Sequence, residues 1–540
     1  MSIRKAMPRR FNIAGPIDPV KHYAIDPFSR IDWPEFEDLI DCKQFFVLHA
    51  PRQSGKTTLL DAIVQRLNAE GRYVAMRVSV SSARGTRDDL DRGNRMIANV
   101  LVYTARQVHP QSWLATEGAS YAQPLEPGTV LMQLLGEWAH RSPKPVVLLI
   151  DEIDTLSGST LESVLTQLRD GYIARPLPFA HSVVLCGVRD VRDYHIETPN
   201  GVVTGSSCFN IKAASIRLGN FTEAEVRALY AQHTDHTGQR FDESIFPLVM
   251  QLTGGQPWLV NALADELTRR MPELQDRSRT IAADHVEEAK EHLIKRRETH
   301  IDDLYGRLRD PTVRRVIAAI LNGDEAGHTP PVDDTRYVED LGLVVTGDDG
   351  ASRIANAIYQ EVIPRALTAT VERDIAIKLP ASSFVLPDGR LSFRTLIESF
   401  QLFYRENSDE WSSRTMYPEA APHILLQAWL MRLVNGGGII QREYALGRKR
   451  ADIFVRHFYM LGGLRREQRF VMEMKVVRKG RSVQTAIREG LEQTAAYADT
   501  CSPEEAHLLI VDQRGDSDWE KRVFVAEHTV RGRTITLWGM

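Results

Sequence analysis

Two short stretches carry side chains whose types and spacing could do chemistry. The first is APRQSGKT, Ala50–Thr57. An apolar run from Phe45 to His49 precedes it, and Leu59 onward has helical period, so the stretch is a turn between a strand and a helix. Backbone N–H groups of such a turn, with the first helical turn, bind phosphate. Gln53, Ser54, Gly55, Lys56, Thr57 and Thr58 form the expected cradle, with Lys56 reaching the β- and γ-phosphates and Thr57 on Mg²⁺. Ala50 stands where the usual GxxxxGK[ST] pattern has its first Gly. The second stretch is RFVMEMKVV, Arg469–Val477, which reads as an apolar strand interrupted by Glu473 and Lys475. Alternation puts these two side chains on one face.

The phosphate-binding turn has partners downstream. KPVVLLIDEIDTL is a buried-type strand that ends in Asp151 and Glu152, about 95 residues after Lys56. A strand-terminal Asp suits Mg²⁺ held through water, and the next Glu suits polarising an attacking water. A third strand, HSVVLCGVRDVRDY, places Arg189 near the γ-phosphate side, with Arg192 as the alternative.

The rest of the chain must position these groups. At 540 residues the length suggests about three to four domains. The composition, 43% hydrophobic and 26% charged, is that of a soluble protein. No apolar run is long enough to span a membrane, and the basic start MSIRKAMPRRFNIAGP lacks the apolar core of a signal peptide. Cys42, Cys186, Cys208 and Cys501 are scattered, which fits a reducing cytoplasm. The net charge of −4 means that any nucleic-acid site is a local patch.

Residues 11 to about 370 resemble a bacterial AAA-like ATPase of the STAND/Orc-related P-loop group. The resemblance rests on FNIAGPIDPVKHYAIDPFSRID, VLHAPRQSGKTTLL, VVLLIDEID, VVLCGVRDVRDY and LTGGQPWLVNALADEL. It implies ATP with Mg²⁺, an adenine site bordered by His22, Tyr23 and Ile25, and a helical-lid turn at Gly254, Gly255 and Pro257. Thr222 and Glu225 form a capping box at the start of the lid. Residues 305–368 read helix, helix, strand, TGDDGAS turn, strand, helix, the order of a winged helix. VDDTRYVEDLG in it is acidic where a DNA-reading helix would be basic. Residues 371–414 read as a connector.

Near the C-terminus the order is a helix (421–434), a strand, a strand carrying Asp452, the Glu473-x-Lys475 strand, a helix and a strand. A loop is expected at YMLGGLRREQR. With Gln493 and Tyr497 four apart on the helix, this resembles a RecB-like PD-(D/E)XK nuclease. The resemblance implies that Asp452 and Glu473 hold Mg²⁺ (Mn²⁺ being an alternative), aided by the Met474 carbonyl, and that Lys475 orients or activates water. Gln493 and Tyr497 would border the metal and the DNA. The family's Glu on the first helix is missing; Glu419 and Glu443 lie nearby. Between Arg442 and Arg488 there are 13 Lys and Arg against four Asp and Glu, a local +9 that suits DNA phosphates.

The expected architecture is therefore a multidomain α/β protein. Residues 1–218 form a P-loop αβα sandwich, 219–300 the helical lid, 301–370 the winged helix, 371–414 the connector and 415–540 the nuclease core. The expected function is an ATP-binding, ATP-hydrolysing protein that gates a Mg²⁺-dependent DNA nuclease in the cytoplasm, a device suited to defence against phage or mobile DNA. A homo-oligomer and a protein trigger are compatible with it. The alternatives are a nucleotide-dependent DNA-binding regulator or scaffold with an inactive nuclease fold, and a repair or mobile-element nuclease.

Overall fold

In a computed structural model the chain divides into two units, residues 1–296 with 340–342, and residues 297–339 with 343–540. The structure describes residues 9–540 apart from 191–194, 199–200, 205–208, 297–298, 323–329, 349, 364–365, 368–383, 415–421, 424, 427–428, 431–437, 444–451, 463 and 515–518. Arg192, Cys208, Glu419 and the basic turn before Asp452 lie outside the described residues.

The first unit is built on five parallel strands in the order β2-β3-β4-β1-β7. These are β1 (Phe45–His49), β2 (Val74–Ser79), β3 (Val146–Asp151), β4 (Ser182–Gly187) and β7 (Lys212–Arg217). A short hairpin, β5 (His195–Thr198) and β6 (Gly201–Thr204), lies between β4 and β7 in sequence. The central strands are apolar throughout because both faces are covered. Phe46, Leu48, Val147, Leu149, Val184 and Cys186 pack beneath α1 (Trp33–Asp41) and α2 (Lys56–Glu70). Phe45, Val47, Leu148, Ile150, Val183 and Leu185 pack against α3 (Leu90–Val108), α4 (Val130–Arg141) and α5 (Gly158–Ile173). This is a three-layer αβα sandwich, and all parallel strands deliver their C-terminal ends to one edge.

Helices follow β7: α6 (Glu223–Thr237), α7 (Ile245–Thr253), α8 (Pro257–Asp265) and α9 (Ala283–Arg296). The capping box closes α6 reciprocally, Thr222 Oγ1 accepting from the Glu225 N–H and the Glu225 carboxylate from the Thr222 N–H.

In the second unit, α10 (Thr299–Arg307), α11 (Pro311–Asn322) and all but the last residue of α12 (Val332–Asp340) precede a hairpin of β8 (Val344–Thr346) and β9 (Ser352–Ile354). A six-stranded mixed sheet follows in the order β10-β11-β12-β13-β15-β14. Its strands are β10 (Gly438–Glu443), β11 (Asp452–Leu461), β12 (Leu464–Val477), β13 (Glu505–Asp512), β14 (Phe524–Val530) and β15 (Arg533–Gly539). The first three are antiparallel, and β12 runs parallel to β13 through the crossover helix α14 (Val483–Cys501).

Two expectations need correction here. The segment 371–414 is not merely a connector, because α13 (Phe393–Arg414) belongs to the core of this sheet. Phe393 stacks on Phe470 at 4.5 Å, and Leu396, Ile397 and Phe400 are fully buried beside Trp429 and Met472. The loop at YMLGGLRREQR is also absent. β11 and β12 continue to a tight turn in which Leu461 pairs with Leu464, and Gly462 adopts φ +60° there.

Because Phe393 joins α13 to the sheet, Phe393→Ala is expected to destabilise the second unit by about 3–5 kcal/mol. Denaturant unfolding, followed beside nucleotide binding by the first unit, checks this: the unfolding midpoint should fall while the binding stays.

Candidate functional site

The edge where β1, β3 and β4 end gathers the predicted phosphate-site residues. Gly55 adopts φ +89° and Gln53 φ +57° as the chain turns from β1 into α2. Ala50 is buried and is not among the left-handed residues, so its position does not require the glycine of the usual pattern. Its N–H donates to the Gly187 carbonyl at 3.2 Å, tying the loop to the end of β4. Ser54 is 1% exposed and its Oγ has no hydrogen-bond partner among the described residues. The Lys56 ammonium lies under the loop and donates to the carbonyls of Ala50 at 2.7 Å and Pro51 at 2.8 Å. Burial lowers its pKa, so a phosphate anion is its natural counter-charge.

Thr57 and Asp151 meet across this edge, Thr57 Oγ1 donating to Asp151 Oδ2 at 3.0 Å. Arg77 approaches the same oxygen at 3.4 Å. Burial raises the Asp151 pKa, against the lowering effects of the Thr57 hydrogen bond and the Arg77 charge. A hydroxyl and a carboxylate in this contact fit a hexacoordinate, water-rich Mg²⁺. Glu152 follows in the left-handed region at φ +61° and is exposed. Its carboxylate accepts from Ser79 Oγ at 2.5 Å. Arg189 lies two residues beyond β4, partly buried.

A cavity of about 110 Å³ adjoins the loop, lined among others by Asn12, Ile25, Gln53, Thr58, Pro257 and Trp258. The N-terminal strap is held over it by three contacts. Trp258 Nε1 donates to the Ile13 carbonyl at 2.9 Å, the Asn12 N–H to Asn261 Oδ1 at 3.3 Å, and the Ile17 N–H to Thr58 Oγ1 at 3.3 Å. The GGQP turn presents Pro257 at the first turn of α8. Only glycine fits at Gly255, since a Cβ there would lie 2.0 Å from the Phe221 carbonyl oxygen. Tyr23 is not among the lining residues. It is buried against Phe11, with its hydroxyl 2.9 Å from His236 Nδ1, so the structure places it in the strap's core instead.

Sequence reasoning missed Arg30. Its guanidinium donates to the Ser54 carbonyl at 2.6 Å and to the Gly219 carbonyl at 3.0 Å, and lies 5.0 Å from the Phe221 ring centre. It thus joins the phosphate loop to the start of the helical segment. Burial pulls its pKa down to about 10, against the opposing charge of Glu225. The sequence around it, Asp26-Pro-Phe-Ser-Arg-Ile-Asp32, carries no motif that singles it out.

The family model described as an AAA domain matches residues 40–194. This region matches the AAA domain family and has its P-loop αβα fold. Among solved structures, the chain is similar to a Walker-type ATPase of Pyrococcus abyssi, at 15% identity and a TM-score of 0.44, over 65% of this chain and 99% of that one. It is similar to the Orc1 protein of Aeropyrum pernix in complex with DNA, at 14% and 0.33, over 64% and 93%. A third is the RuvB Holliday junction branch migration motor of Thermotoga maritima, at 12% and 0.32, over 62% and 95%. A comparison with curated proteins gave no match.

The second predicted cluster lies on β12. Lys475 Nζ is 2.8 Å from Glu473 Oε1, and the side chains are 1% and 2% exposed. Both face the helix α14. Their register partners on β13, Leu508 and Ile510, pack there with Ala486 and Ala495. Met472 and Met474 point to the opposite core with α13. Gln493 and Tyr497 sit one turn apart on α14, and Gln493 Oε1 is buried with no partner among the described residues. The backbone register carries Asp452 to the position opposite Glu473, one step beyond the pair Ile453↔Met472. Among the described residues no three His, Cys, Asp or Glu side chains gather as a metal site; the Asp452 side chain is outside them. The basic excess is partly neutralised, since Arg456 and Arg469 both pair with Glu467, and Arg481 pairs with Glu489. No helix among the described residues is long and apolar enough to cross a membrane.

Removing the Arg30 link should loosen the loop. Arg30→Met is expected to weaken ATP binding by about tenfold or more, the equivalent of one to two charged hydrogen bonds. Titration with a fluorescent ATP analogue checks this; unchanged affinity would show that the link does not shape the site.

Proposed function

We propose that the chain is a nucleotide-controlled, metal-dependent DNA nuclease. The observation that carries the nuclease reading is the Glu473–Lys475 pair, held on a strand whose neighbour carries Asp452 at the opposing register position. An ion pair buried this deeply contributes little net stability compared with apolar residues of similar size. A catalytic use accounts for its place in an apolar strand.

In this reading the nuclease domain begins before residue 415, because α13 completes its core. Asp452 and Glu473 would hold Mg²⁺ or Mn²⁺, which would supply charge neutralisation for the scissile phosphate. Lys475, now bonded to Glu473, would orient the attacking water. Gln493 and Tyr497 border the phosphate from α14. DNA reaches the site along the basic stretch 442–488.

The first unit supplies the control. Lys56 and the loop N–H groups bind the ATP phosphates, and Pro257 and Trp258 close the base cavity. Thr57 and Asp151 would hold Mg²⁺, which would balance the phosphate charge. Glu152, released from Ser79, orients water, and Arg189 faces the γ-phosphate. Hydrolysis shifts the helical lid over 219–300 and the winged helix over 301–370, and so gates cutting. Self-assembly and a protein trigger fit such a gate, and defence against phage or mobile DNA is a suitable role.

The test is cleavage of linear, supercoiled and single-stranded DNA with Mg²⁺ or Mn²⁺, with and without ATP. Glu473→Gln and Lys475→Ala are each expected to lower cutting by about 100-fold or more, and Lys56→Ala to abolish its response to ATP. ATP-dependent DNA binding without any product would favour the regulator with an inactive nuclease fold.

A further inference from the structure

The strands that carry Asp452 and Glu473 continue well past their sheet. β10 pairs with β11 up to His457, and β13 pairs with β12 from Phe470. Between these limits, among the described residues, the two strands pair only with each other, through Phe458↔Glu467, Tyr459↔Arg466, Met460↔Arg465 and Leu461↔Leu464. The result is a two-stranded ribbon. Its root is braced by the segment before α13. His457 Nε2 donates to the Gly389 carbonyl at 2.9 Å, and Gln468 Oε1 accepts from the Leu391 N–H at 2.7 Å.

The tip is unlike the root. Met460, Leu461 and Leu464 are 61%, 50% and 61% exposed. Leu461 and Leu464 share one face at the end of the ribbon and Met460 stands on the other; among the described residues no core covers them, so they gain nothing from folding. The flanks are basic. Residues 456–469 hold four Arg against one Glu, whereas the whole chain has a net charge of −4. Arg466 is exposed beside the tip.

We propose that this ribbon is a duplex-DNA finger whose apolar tip presses between bases while Arg466 contacts phosphate. The proposal rests on the nuclease reading and adds to it a surface and a substrate form. A two-stranded ribbon fits a groove of about 12 Å. Apolar wedges of Leu and Met that part base steps are an established way of gripping and bending duplex. The nine residue steps from Leu464 to Glu473 span roughly 30 Å at ~3.3 Å each, so the finger would grip the duplex about nine base pairs from the cutting site at ~3.4 Å per pair. A protein partner is disfavoured, since three side chains expose far less than the ~800 Å² that each partner buries in a stable complex.

The experiment is anisotropy of a labelled linear duplex with the full chain in EDTA, which prevents cutting, over a series of salt concentrations. Met460→Ser/Leu461→Ser/Leu464→Ser is expected to weaken binding about tenfold or more with an unchanged salt slope. Arg466→Ala is expected to lower the slope by about one. These residues are exposed, so both variants should keep the parental melting temperature. If the parent binds and both variants bind equally well, the finger is overturned and the nuclease reading stands. If the parent binds no duplex, both fall. A shift of the triple variant from oligomer to monomer, with DNA binding intact, would overturn the finger in favour of self-association.

Discussion

A charge inside an apolar strand must be paired, and that constraint shapes both candidate sites. Lys475 and Glu473 are almost wholly buried and lie 2.8 Å apart. Losing either partner would strand the other in a medium that solvates it poorly, which costs several kcal/mol. The surrounding sheet can therefore keep the pair only by fixing both side chains on the face covered by α14. The same rule holds at the other site. Asp151 at the end of an apolar strand is met by Thr57 and Arg77, and Lys56 by two carbonyls.

The nucleotide site follows from the direction of the parallel strands. Since β1, β3 and β4 all end at one edge, the loop, Asp151 and Arg189 arrive together without any long-range device. The cavity beside the loop is walled by parts distant in sequence. The N-terminal strap and α8 are joined by Trp258 and Asn261. Arg30 ties the loop carbonyl of Ser54 to Gly219, and the contact of Gly255 with Phe221 fixes where α8 starts.

Local patterns in the sequence reached much of this. Loop, strand-terminal acid and strand order are short-range signals, and the αβα sandwich and its phosphate edge were readable from them. So was the pairing of Glu473 with Lys475, since alternation alone decides which face a strand residue takes. Tertiary packing was harder to read. Tyr23 looked like a base contact, yet its ring completes an aromatic cluster with Phe11 and His233. The α13 segment looked like a linker because its apolar positions have no partner until Phe470 and Trp429 arrive from later in the chain. The Gly-Gly pair at 462–463 is a hairpin signal in the sequence. Arg30 carried no motif, because its partners are backbone carbonyls, which any sequence supplies.

The central proposal is that Glu473, buried beside Lys475, is a metal ligand and not only half of an internal ion pair. Mn²⁺ binding followed by electron paramagnetic resonance tests it most directly. The protein should carry Asp151→Asn and be free of nucleotide, so that the nucleotide-side metal site is silent. The account predicts a bound Mn²⁺ that disappears when Glu473→Gln is added. No bound Mn²⁺, or the same binding with and without Glu473→Gln, would contradict it.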